Sequence, residues 1–166
     1  MQTRLRIWKD NRDGKSILLS CYHLMTGNMV RAIAQGEFAD QIWVDELLRR
    51  FAGYYFVALE QYDSDPQQAP LVWQRAHHAA ADPAVSPVQR LLHGVNAHIN
   101  YDLVFALSDM LKPEWRALAE TQRSTRYADH CHVKEVIGKT IDAVQSQIFG
   151  PAWPCSIRCS GNSTSA

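Results

Sequence analysis

The sequence predicts an all-α protein, a single-domain bundle of about five to seven helices around a central buried helix at residues 87–111. Three observations carry this. Apolar residues recur at helical spacing along most of the chain. Prolines and small polar residues fall where helices would start and stop. No segment makes a convincing strand. With 166 residues, 46% of them hydrophobic, the chain can bury a sizeable core in one domain. Residues 1–150 hold that domain, and the Ser- and Gly-rich end reads as a disordered or weakly ordered tail over 151–166.

Residues 1–15 give no clear element, and Gly14 marks a break. Ile17 to Met25 is apolar enough to begin a helix. Thr26-Gly27-Asn28 looks like a cap for a second, short one that Gly36 ends. Asp40 is a good N-cap for a long amphipathic helix over 41–62, in which Ile42, Trp43, Leu47, Leu48, Phe51, Tyr54, Tyr55, Ala58 and Leu59 recur at helical intervals. Prolines 66 and 70 bound a loop, and Leu71 to Ala81 forms a short helix with Trp73, His77 and His78. Of the adjacent histidines one is expected to be exposed, and a surface role is the expected reading. Pro87 fits the first turn of the central helix, and Pro113 the first turn of the next. That next helix takes its apolar side from Trp115, Leu118 and Ala119. The pattern weakens over Gln122 to Arg126, predicting a break. It returns as Val133, Ile137, Ile141, Val144 and Ile148, until Gly150-Pro151 stops it.

The central helix is apolar on nearly every side, yet it carries His93, Asn96, His98, Asn100 and Asp102. A helix hydrophobic all round is buried, and buried polar groups need partners. At about 100° per residue, His98 and Asp102 lie one turn apart, beside Leu91, Val95 and Phe105. His93, Asn96 and Asn100 gather on the opposite side.

An i, i+4 His–Asp pair fits three readings. The carboxylate can fix the imidazole tautomer and raise its basicity, leaving a general base. Both can bind a metal with further ligands from a facing helix, for which Asp129 and His130, near the start of the last stripe, are the candidates with His98 and Asp102. Or the pair simply satisfies two core groups. A di-metal centre is disfavoured because the repeated ExxH pattern of di-iron bundles is missing. Asn96, Asn100, Tyr101, Tyr22, His93, Asp129 and His130 are candidates to line a substrate pocket. For the first cluster, a solvent-facing or backbone-bonding role is the competing reading.

Other classes are excluded. Lysine plus arginine and aspartate plus glutamate number 17 each, so the chain lacks the cation excess of a nucleic-acid binder. No apolar run approaches the ~18 residues of a membrane span. With no secretory-type leader visible, the cytoplasm is the expected compartment. Cys21, Cys131, Cys155 and Cys159 form no CxxC pair and read as reduced, incidental thiols. There is no GxSxG, HExxH, P-loop or dinucleotide fingerprint, and no cofactor is expected.

The stretch Met25 to Phe38, Leu47 to Leu59, Trp73, the Gly94 to Leu103 run and the late helix near Tyr127 and Asp129 resemble a bacterial and fungal family of helical proteins of unassigned function. Its most specific part is the Asn-Ala-His-Ile-x-x-Asp-Leu motif at 96–103. The resemblance implies that Asn96, His98 and Asp102 belong to a family signature. It supplies no reaction, and it gives His132 no role, that position usually being another residue in the family. The expected function is a cofactor-independent small-molecule enzyme (cyclase, isomerase, lyase or hydrolase), with His98 as general acid/base oriented by Asp102. The alternative is a non-catalytic ligand- or partner-binding module with a structural His–Asp pair.

Overall fold

Helical hydrophobic periodicity becomes seven α-helical segments in the computed structural model, which describes residues 1–149, with side chains through Thr140. In order these are α1 (Gln2–Asp10), α2 (Lys15–Ala34), α3 (Gln41–Ser64), α4 (Leu71–Ala81), α5 (Pro87–Ala97), α6 (Leu103–Glu114) and α7 (Glu120–Phe149). A π-helical turn, His98–Asp102, joins α5 to α6 without a break. Among the described residues there is no strand, and the protein is an all-α single-domain bundle. No helix among them is long and apolar enough to cross a membrane. The expected tail, the Gly150-Pro151 stop, and Cys155 and Cys159 lie outside the described residues.

Several boundaries differ from the sequence reading. Residues 2–10, left unassigned, form α1, which buries Leu5 and Trp8. Thr26-Gly27-Asn28 does not cap anything: α2 runs through it unbroken, because Met29 and Ala32 continue the buried stripe of Leu19, Cys21 and Tyr22. Gly36 does end the helix. At φ +75° it takes the left-handed position, while its N–H bonds Ile33 and that of Glu37 bonds Ala32. Pro113 closes α6 from within its last turn, and the helix expected around Trp115 is a turn with Trp115 exposed. The break expected at 122–126 is absent. Arg126 is anchored there by Asp40 and Glu114 and lies 4.9 Å over the Trp43 ring, so α7 continues.

Asp40 caps α3 as expected, accepting from the Trp43 N–H at 3.0 Å. Ser86 and Gln89 form a capping box on α5. The helix with most neighbours is α2, which packs against α1, α3, α4, α5 and α7. The 87–114 helix buries only one face, made of Gly94, Ala97, His98, Asp102, Leu103 and Ala106.

The apolar interior divides into two clusters. One gathers Leu19, Tyr22, Tyr55, Leu59 and Trp73; the other gathers Met29, Trp43, Val44, Leu47, Phe51 and Leu103. Gly14, just before α2, lets the chain pass so close to α4 that a Cβ there would lie 2.0 Å from the Ala80 carbonyl oxygen. Backbone cannot step aside as a side chain can. Gly14→Ala is therefore expected to cost at least about 1–3 kcal/mol, the usual range for overpacking, read as a lower urea midpoint.

Candidate functional site

The seam between the two apolar clusters holds the polar pair that the sequence singles out. His98 is 3% exposed and Asp102 1%, so both side chains are enclosed. The π turn places them: the Leu103 N–H reaches back to the His98 carbonyl, one residue further than in an α-helix. The extra residue resets the helical register beyond it. Phe105, which an uninterrupted wheel sets beside His98, is instead 42% exposed, and Leu103 and Ala106 face the core.

His98 Nδ1 lies 2.8 Å from Asp102 Oδ2. From α4, the Trp73 indole N–H donates to Asp102 Oδ1 at 2.9 Å. Both carboxylate oxygens are thus engaged, from two directions. Around the imidazole the packing is aromatic. Phe51 of α3 stacks on it at 3.7 Å with planes 9° apart. Tyr22 of α2 meets it edge-on at 5.2 Å, and Tyr55 lies 5.8 Å away.

Burial lowers the His98 pKa, and the Asp102 hydrogen bond opposes this only in part. The ring is therefore neutral at pH 7. A carboxylate only accepts, so the single ring proton sits on Nδ1 and the lone pair is on Nε2. Nε2 is buried without a hydrogen-bond partner. The same burial pushes the Tyr22 and Tyr55 phenols up.

Beside the pair is an apolar cavity of about 20 Å³, walled by Tyr22, Met25, Thr26, Met29, Leu47 and Phe51 among others. That volume takes about one water molecule. Two of its walls, Tyr22 and Phe51, are rings packed on His98.

The remaining candidates lie apart from His98, Tyr22 excepted. His93, Asn96 and Asn100 face solvent, and the Asn100 amide donates to the Asn96 carbonyl at 2.8 Å. Tyr101 is half-buried against Phe105. Asp129 is buried, but its carboxylate accepts from the N–H groups of Ala39 and Asp40, both at 2.8 Å, at the entry to α3. His130 is half-buried, its pKa lowered by burial and by Lys134. Among the described residues no group of three or more His, Cys, Asp or Glu is placed to hold a metal, so His98, Asp102, Asp129 and His130 do not converge. His132 lies between Glu37 and Glu135, which raise its pKa. Of the adjacent histidines, His78 is exposed, as expected of one of them, and His77 is buried.

Three partners were not legible as such: Trp73, Phe51 and Tyr55. Each sits on the inner stripe of its helix, where an aromatic reads as core. Only the fold shows that Trp73, 29 residues from Asp102, spends its one N–H there.

A family model described as a family of unknown function (DUF5995) matches residues 1–159, and the chain belongs to that family. No curated protein and no solved structure matches it.

Proposed function

We propose that this member of DUF5995 is a small-molecule enzyme of the cytoplasm in which His98 is the general acid/base and Asp102 positions it. The observation that carries this is the bare, buried Nε2. A core histidine kept only for packing leaves an acceptor unsatisfied at a cost of about 1–3 kcal/mol, whereas a base needs that lone pair free. Asp102, pinned by Trp73, holds the ring in the required tautomer. The π turn supports the same reading, since such turns are frequent at functional sites. The Asn-Ala-His-Ile-x-x-Asp-Leu run at 96–103 serves as the family's signature on this account.

The chemistry is proton transfer: Nε2 removes a proton from a bound substrate and returns one, for cyclisation, isomerisation, elimination or hydrolysis. Positioned proton transfer contributes about 10²–10⁴-fold. A cavity of about 20 Å³ is far below substrate size, so this reading requires Tyr22 and Phe51 to move aside for substrate.

One observation favours the non-catalytic rival: the enclosure of both side chains, with Asp102 fully partnered. Wild type and His98→Gln are to be incubated with a metabolite extract and followed by mass spectrometry. The proposal expects compounds consumed by wild type and spared by the folded variant. Identical profiles from the two folded proteins overturn it and leave a structural pair.

A further inference from the structure

A second group of polar side chains lies away from His98, where the α1–α2 turn meets α4 and the start of α5. It lines a cleft of about 520 Å³ whose walls include Arg12, Lys15, Tyr62, His77, Pro83 and Arg90. That is within the size range of small-ligand sites. A separate small pocket of about 10 Å³ is also lined by Lys15, His77 and Arg90, together with Tyr55.

Two atoms here are buried and unmatched. His77 is 3% exposed, and its Nε2 has no hydrogen-bond partner. Arg90 Nε is also buried and unpartnered, although the same guanidinium donates to the Asp82 carbonyl at 2.7 Å. An arginine N–H is always a donor. With the single proton of the neutral His77 ring on Nε2, two unpaired donors, one of them cationic, face the cleft, and an anionic acceptor satisfies both.

Charge narrows the class. Arg12, Lys15 and Arg90 supply three cations to the lining and Asp13 one anion, so the lining side chains carry an excess of positive charge, although Lys15 also pairs with Asp63 outside it. The Asp82 carboxylate is turned to the Ala84 N–H and does not line the cleft. That excess matches an anion. Tyr62, whose ring lies 4.6 Å from His77, together with Ala80, Ala81 and Pro83, gives the cleft an apolar side. We infer that this cleft binds a small carboxylic acid with an apolar or aromatic body, its carboxylate held by Arg90 Nε and His77 Nε2. The site stands independently of the chemistry proposed for His98.

The test is a benzoate titration at fixed ionic strength, read at the Arg90 Nε–H and His77 ring signals by NMR, with acetate, phosphate and chloride as comparators. Benzoate is expected to shift both signals saturably, and acetate to do so with lower affinity. Arg90→Met and His77→Phe proteins that retain the wild-type backbone spectrum should bind benzoate at least tenfold more weakly. Absence of a saturable shift at Arg90 Nε–H in the wild-type protein overturns the site, as does an equal shift with chloride. Tighter binding of phosphate than of benzoate overturns the carboxylate assignment.

Discussion

Asp102→Ala is expected to lower the unfolding free energy by about 2–6 kcal/mol, because two buried donors each lose their acceptor at about 1–3 kcal/mol. The reason is local. Asp102 accepts from both Trp73 Nε1–H and His98 Nδ1–H, and both donors are enclosed where water cannot replace it. Asp102→Asn separates the structural part from the chemical part. The amide oxygen can still accept from Trp73, but the amide N–H₂ now faces Nδ1 and donates to it. The ring proton must then move to Nε2, where the protein offers no acceptor. The expected stability loss is smaller, about 1–3 kcal/mol. The loss of activity is larger, about 10⁴-fold, the scale seen where this exchange reverses a catalytic histidine's tautomer. Urea unfolding of the two variants gives the first comparison, and substrate turnover the second.

Acid is expected to destabilise the fold, in part through His77. Burial depresses its pKa from 6.5 to about 4, with the Lys15 charge acting the same way and Asp63 and Asp13 opposing. His78 also lowers it slightly. A histidine whose folded pKa is depressed takes up a proton more readily when unfolded. Its contribution is therefore complete above about pH 6.5 and is lost as pH falls toward 4. The difference of the two values corresponds to roughly 3 kcal/mol. His98 and His130, both lowered by burial, act in the same direction. His132, raised by Glu135 and Glu37, acts in the opposite one. Urea unfolding at pH 7.5 and pH 4.5 should thus show a marked loss in wild type and a clearly smaller loss in His77→Phe. Equal losses would mean that His77 is solvated in the native state.

The sequence made the helices legible where periodicity, caps and prolines agreed. α3, α4 and the start of α5 follow Asp40, Pro70 and Ser86-Pro87 closely. It misled where a local signal competed with packing. Thr26-Gly27-Asn28 has cap chemistry, but the buried stripe of α2 runs through it. Gln122 to Arg126 looks like a break because Arg126's partners, Asp40 and Glu114, are 86 and 12 residues away.

The site was half legible. An i, i+4 pair on an apolar helix identifies His98 and Asp102 locally. The π turn that orients them leaves no trace in a hydrophobic wheel, which assumes a constant turn per residue. Trp73 and Phe51 read as core because they are core: their contact with the pair exists only once α3 and α4 are docked. Asp129 drew attention as a candidate pocket or metal residue near the start of the last stripe, but its carboxylate is taken by the N–H groups of Ala39 and Asp40.

The central claim is that His98 is a neutral base, proton on Nδ1 and lone pair on Nε2, held so by Asp102. Long-range ¹H–¹⁵N NMR of the His98 ring between pH 8 and pH 5 tests it directly. The account predicts a single Nδ1–H tautomer that persists well below the ordinary histidine midpoint of about 6.5. An Nε2–H tautomer, or an ordinary titration near that midpoint, would contradict it.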